Sequence, residues 1–161
     1  MTNVADIRNA NWQISTARFG EVVEGTGDIN QCIGLILATR IGSDPFRPSF
    51  GSKIFEYVDR PINTAAPNIV QAIVDAVGTW ERRVVVKAVE YAYQKQNEND
   101  ANAPVCGIRF NILWVAAVGS ENGEIELLLN NTQGLPTLVI RVIATDDGVG
   151  ITTDDGILIQ L

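Results

Sequence analysis

The chain has no histidine among its 161 residues. Without an imidazole there is no Ser-His-Asp or Cys-His nucleophile pair and no histidine-bearing zinc site. Cysteine is almost as scarce. Cys32 and Cys106 both stand in apolar surroundings, and two residues do not make a disulfide framework, so free buried thiols are expected. Twelve Lys and Arg face nineteen Asp and Glu, for a formal charge of −7. That balance leaves no broad basic surface for a phosphate backbone, only a local cluster at Arg82, Arg83 and Lys87, and no nucleic-acid partner is expected. No apolar run approaches the ~20 residues that span a bilayer, so no membrane partner is expected either. The opening MTNVADIRNANW lacks the apolar core of a signal peptide. The expected location is a cytoplasm, or a particle assembled in one. No metal and no cofactor is expected.

What remains is a chain of 46% hydrophobic and 19% charged residues, enough for one domain with a real core, or one domain plus an appendage. Residues 1–27 are polar and punctuated, with Trp12 and Phe19 as apolar anchors, and read as an arm with a short strand or hairpin. Asp28 offers an N-cap and Gln31 the second half of a capping box. Ile29, Cys32, Ile33, Ile36 and Leu37 then fall on one helical face, which predicts a first helix over about 28–40 with Gly42 as its stop signal. A second stripe, Ile69, Ile73, Ala76, Val77 and Trp80, predicts a helix over about 65–80, capped by Asn63 or Thr64, with Pro67 tolerated in a first turn that has no amide bond to lose.

The period then changes. Residues 83–94 are dense in valine and tyrosine, and residues 106–118 alternate Ile108, Phe110, Ile112 and Trp114, so both read as strands of a long hairpin joined by the polar loop KQNENDANAP. Further strands are expected at 124–129, 137–145 and 157–161, with tight turns at Asn122-Gly123 and Asp155-Gly156. The fold class is therefore α+β: two helices on a small antiparallel or mixed sheet, with a β-rich extension over 119–161 beyond a domain at 1–118. Thr-Asp-Asp-Gly occurs at 145–148 and 153–156, but the further ligands of a calcium loop are missing and two turns explain the repeat more simply.

One stretch fits neither helix nor strand. IGSDPFRPSFGSKIFEY, residues 41–57, sets two prolines, two glycines and four aromatics behind the first helix. The succession Leu37-Ala38-Thr39-Arg40, then Gly42, Pro45, Pro48 and Phe50-Gly51, then a helix ending in Trp80-Glu81 with Arg83-Val84, resembles the gene-25-like family of contractile tails. Its members are sheath-initiator and baseplate-wedge proteins of contractile phages, with relatives in type VI secretion and other injection machines. The resemblance covers about residues 10–118. Two departures stand out: Glu81-Arg82-Arg83 replaces the family's Glu-Pro-Arg, and Ser43 and Asp44 stand where the loop carries Glu-Arg.

The resemblance implies a structural protein, not an enzyme. It would link the baseplate wedge to the tail and start sheath assembly in the virion, with the sheath protein and other wedge or hub proteins as partners, in several copies, about six per baseplate. Partner contacts are expected at Gly42, Pro45, Phe46, Arg47, Pro48, Phe50 and Gly51, and at Glu81, Arg82 and Arg83. The prolines reduce the entropy lost when such a loop docks. Glu81 and Arg83, two residues apart, are expected on one face, each free to pair with another chain. Two other readings compete. A lysozyme-like hydrolase would need two facing carboxyls, for which Glu21, Glu24, Asp44, Glu56 and Asp59 are the available acids, and an unrelated β-rich binding module would need no partner in a tail.

Overall fold

The computed structural model describes residues 7–16, 20–95, 105–132, 135–143 and 157–160. Two short strands, β1 (Trp12–Ile14) and β2 (Val22–Glu24), form an antiparallel pair ahead of helix α1 (Thr26–Ala38). A loop and a single 3-10 turn (Ile54–Glu56) lead to helix α2 (Ile62–Trp80). Five strands follow: β3 (Val84–Lys95), β4 (Val105–Ala116), β5 (Asn122–Thr132), β6 (Leu135–Ile143) and β7 (Ile157–Gln160). They pair in chain order, each antiparallel to the next. The fold is α+β. The late strands extend the first hairpin's sheet, and no second layer forms among the described residues.

The helical and strand periodicities explain this arrangement. Ile29, Ile33, Ile36 and Leu37 of α1 and Ile69, Ile73, Ala76 and Val77 of α2 are buried, and they meet Ile108, Phe110, Ile112 and Trp114 of β4 and Ile125, Leu127 and Leu129 of β5. Each fully buried large side chain is worth about 1.5–3 kcal/mol. This interface, and not any polar contact, therefore holds the layers together. One polar bond fixes their register: Trp114 Nε1 donates to Asn30 Oδ1 at 2.8 Å inside the core. On the other face of the sheet, Arg109 Nε lies 2.8 Å from Glu126 Oε1.

Several sequence expectations are corrected in detail. Helix α1 begins at Thr26 behind Gly25, whose φ is 59°, and no side chain caps it. Asp28 lies inside the first turn and turns its carboxylate elsewhere, while Gln31 reaches back to β1. The helix ends at Ala38 because Thr39 goes extended, its hydroxyl and amide both donating to Leu35 O, so Gly42 is not the stop. Helix α2 starts three residues earlier than expected, behind Pro61, so Asn63 and Thr64 are helical and not caps. Pro67 is then the sixth helical residue, past the first turn, and the Asn63 carbonyl loses its i+4 amide.

Asn122-Gly123 is not a turn. Both residues open β5, with Gly123 paired to Trp114. A Cβ at Gly123 would overlap the Trp114 indole, so the glycine makes room for the ring. The reversal lies just before, where Gly119 takes a φ of 106°. Asp155-Gly156, both Thr-Asp-Asp-Gly repeats, the loop 96–104 and the side chain of Cys106 lie outside the described residues. Cys32 is a free thiol. Among the described residues no helix is long and apolar enough to cross a membrane.

Candidate docking site

The loop between α1 and the 3-10 turn is held at almost every residue. Pro45 and Pro48 restrict φ. The Gly42 amide, at a φ of 88°, donates to Pro48 O at 2.9 Å and closes the loop on itself. Asp44 Oδ1 accepts the Phe46 amide at 2.9 Å, and Asp44 Oδ2 accepts Arg47 Nε at 3.1 Å. Those bonds hold the half-buried Asp44 carboxyl below its ordinary range, the Phe46 amide first. Arg47 in turn lies 4.3 Å above the Phe50 ring, and Phe50 meets Trp80 edge to face at 5.1 Å. At the far end Gly51 has a φ of 117°, and a Cβ there would collide with the Thr39 carbonyl. Ser52 closes the return by donating from its amide to Thr39 O and from its hydroxyl to Leu37 O, each at 2.9 Å.

This bracing sorts the loop residues. Phe50 is half-buried and Gly51 buried, both used to seat the loop on its own domain. Gly42, Pro45, Arg47 and Pro48 are exposed. Phe46, at 95% exposure, is the extreme case: a large apolar ring displayed on a loop whose neighbours are pinned.

The second motif behaves differently. Glu81 follows the last residue of α2 and is 5% exposed. Its carboxylate takes Arg83 as a fork, with Arg83 Nε to Oε1 and Arg83 Nη2 to Oε2, both 2.8 Å, and accepts the Arg83 amide as well. The other guanidinium nitrogen reaches Asp28 Oδ2 at 2.5 Å. Glu81 and Arg83 do share a face, but they pair with each other and with Asp28. Burial pushes the Glu81 carboxyl up, yet the Arg83 bonds and charge outweigh it and the net direction is down. The Glu81 bonds lead in raising Arg83 well above its ordinary value. Arg82 is exposed.

Three participants escaped the sequence reading. Asp28 was expected as a helix cap. The Cys32 thiol accepts from Gln13 Nε2 and Arg83 Nη2, each at 3.3 Å, and burial, then Asp28, raises its pKa. Gln13 also donates to Asp28 O at 2.9 Å, tying β1 to the cluster. Nothing in a linear sequence announces an Asp28–Arg83 pair 55 residues apart.

The two motifs meet. Asp44, Arg47 and Phe50 of the loop, Leu35 and Ile36 of α1, Trp80 at the end of α2 and Glu81 just beyond it line one open groove of about 480 Å³. Its floor is apolar and its charged rim is neutralised by internal pairs. Among the described residues no cluster could hold a metal ion. Of the five carboxylates a hydrolase might use, Glu24 accepts the amides of Arg8 and Asn9. Asp44, lowered, moves opposite to what a general acid requires.

Comparison with known proteins accords with this architecture. Residues 23–114 match the family described as baseplate wedge protein gp25. A putative tail lysozyme from Geobacter sulfurreducens is similar in structure, with a TM-score of 0.52 at 23% identity over 64% of this chain and 87% of that one. A chain of the six-fold symmetrised anti-feeding prophage baseplate gives a TM-score of 0.52 at 19% identity, over 69% of this chain and 84% of that one. At those identities the two structures speak for the fold alone. No curated protein sequence matches. The family match spans more than half of the 161 residues and includes both braced motifs, so the chain belongs to the baseplate wedge protein gp25 family, a structural component of contractile-tail baseplates.

Proposed function

We propose that the protein links the baseplate wedge to the tail and starts sheath assembly by docking its loop and pairing strands with neighbouring subunits, without catalysing a reaction. The observation that carries this reading is the display of Phe46, 95% exposed on a loop whose flanking residues are already bonded. Such an anchor enters a partner's pocket with little ordering cost. Gly42, Pro45, Arg47 and Pro48 present it, Phe50 and Gly51 seat it, and Arg82 stands exposed directly after Glu81, which lines the groove. Glu81 and Arg83 support the site from beneath by setting the exit of α2.

The partners are the sheath protein and other wedge or hub proteins, with several copies of the chain, about six, in each baseplate. The six-fold symmetry applied to the anti-feeding prophage baseplate favours that number. Assembly would take place in the host cytoplasm, before the tail is complete.

The test replaces Phe46 by Asp in the machine that encodes the protein. Correctly folded protein, unsheathed tails and lost co-purification with wedge partners are expected. Normal sheathed tails from that variant would remove the docking role.

A further inference from the structure

Helix α2 lays one face on the core and shows the other to solvent. Ala65, Ile69, Ala72, Ile73 and Ala76 are buried. At about 100° per residue, the opposite direction belongs to Pro67, Gln71, Val74 and Gly78, and all four are exposed. The middle of an outward face is where a solvated helix carries its charges. None of these four residues is charged. In nineteen residues α2 has a single charge, Asp75, set to one side of the row.

Gly78 is the least expected of the four. Elsewhere a glycine answers a local need: Gly51 takes a φ of 117°, and Gly123 leaves room for Trp114. Gly78 has no positive φ, and a Cβ added to it meets nothing within 4 Å. Glycine is a poor helix former, so the domain loses stability at this position and gains no contact of its own in return. A missing Cβ helps where another backbone comes close. No described residue of this chain does so.

The polar groups around the row are already suited to being covered. Asn68 Nδ2 donates to Thr64 O, Gln71 Nε2 to Asp75 Oδ1 and Thr79 Oγ1 to Asp75 O, each at 2.7 Å. These donors are spent on the helix itself, so a molecule that excluded water from them would leave them paired and the desolvation cost would be small. Val74, 39% exposed, adds an apolar contact beside the glycine.

The shape fits a second helix. The row repeats at i, i+4, i+7 and i+11 over roughly 16 Å of axis, and the gap at Gly78 lets the ridge of another helix settle at the short end of the usual axis separation. Its charge is set as well. Asp75 pairs with no cation among the described residues. Asn63, exposed on the same side, has a carbonyl whose amide partner Pro67 removes. Both groups call for a donor, and Asp75 for a cationic one. A second copy of the chain would bring its own Asp75 and another −7 of net charge.

We propose that the outward face of α2, centred on Gly78, seats a helix of a different protein, with small or aliphatic residues across Val74 and Gly78 and a lysine or arginine beside Asp75. That this helix belongs to a neighbour in the tail rests on the baseplate reading above. The face and its preference do not.

The test uses the full chain, first alone and then in tails of the machine that encodes it. Alone, Gly78→Ala and Gly78→Leu should both raise the urea midpoint, since each puts a better helix former into open space. In tails, Gly78→Leu should cut the amount of chain incorporated by about tenfold or more, because the added side chain stands where the second backbone lies. A photo-crosslinking residue in place of Pro67, Gln71 or Thr79, which flank the contact, should join one segment of another protein in purified tails. Attachment points three or four residues apart mark a helix. Asp75→Lys should also lose incorporation, and changing the basic residue of that segment to glutamate should restore it.

A urea midpoint that falls in Gly78→Ala would give the glycine a local reason and overturn the proposal. Full incorporation of Gly78→Leu, the absence of crosslinks, crosslinks only between copies of this chain, or attachment points two residues apart, as on a strand, would each overturn it too. Normal sheathed tails from Gly78→Leu with unsheathed tails from Phe46→Asp would sink the α2 face alone. The reverse pair would sink the loop reading alone.

Discussion

The loop of residues 40–52 and the acid-base turn of residues 81–83 border one groove, yet they treat their side chains in opposite ways. At the turn, Glu81 and Arg83 fold inward and satisfy each other and Asp28. In the loop, internal bonds consume Asp44, Arg47 and Phe50 and leave Phe46 in water. Interior partners decide the difference. A charge that finds two of them becomes part of the frame, and an aromatic ring that finds none is left for another molecule.

The strongest way to break this contrast is to remove the centre of the inward cluster. Arg83→Ala leaves Asp28 and Glu81 buried without a cation. The expected loss is about 3 kcal/mol, the low end for a broken buried pair because a third of the Arg83 side chain is exposed. Urea denaturation measures it. A loss below about 0.5 kcal/mol would mean the cluster is no more than a solvated surface pair.

Next comes the hinge that seats the loop. Gly51→Ala forces a side chain into a φ of 117° against the Thr39 carbonyl, so about 2–3 kcal/mol should be lost. Gly42→Ala has a positive φ but open space, and should cost less. Equal losses at the two positions would show that the conformation matters and the contact does not.

These cases show what was legible in the sequence. Helical stripes and strand alternation placed the core correctly, because each element's period records which face is covered. Asp28 was mistaken for a cap because local spacing suits one, while its real partner lies 55 residues on. Gly123 was read as a turn because Asn-Gly so often is one, while the reason for the glycine is the Trp114 ring on the neighbouring strand. The convergence of loop and turn on one groove depends on how α1 and α2 lean together, and local sequence holds no record of that.

A smaller effect separates the two regions by pH. The Glu81 carboxyl is held below its ordinary value near 4.5 in the folded state. Its contribution to stability is therefore complete above that value and lost as the pH falls through the lower, folded one. The difference in stability between the native protein and Glu81→Gln should be constant from neutral pH to about 5 and shrink below 4.5. A difference that grows on acidification would reverse the assignment.

The smallest effect on stability is the most informative about the outward half. Phe46 touches so little of its own domain that Phe46→Ala should change the urea midpoint by less than the equivalent of about 0.5 kcal/mol, as surface substitutions do. Binding to a wedge partner should nonetheless fall by more than about tenfold, since an exposed aromatic anchor on a rigid loop is the usual form of a hot spot. Asp44→Asn sharpens the point. It weakens the bonds to Arg47 and the Phe46 amide without touching the ring, so any affinity it loses measures the value of holding Phe46 still. If Phe46→Ala destabilised the fold as much as Arg83→Ala, the ring would belong to the frame and the contrast between the two regions would collapse.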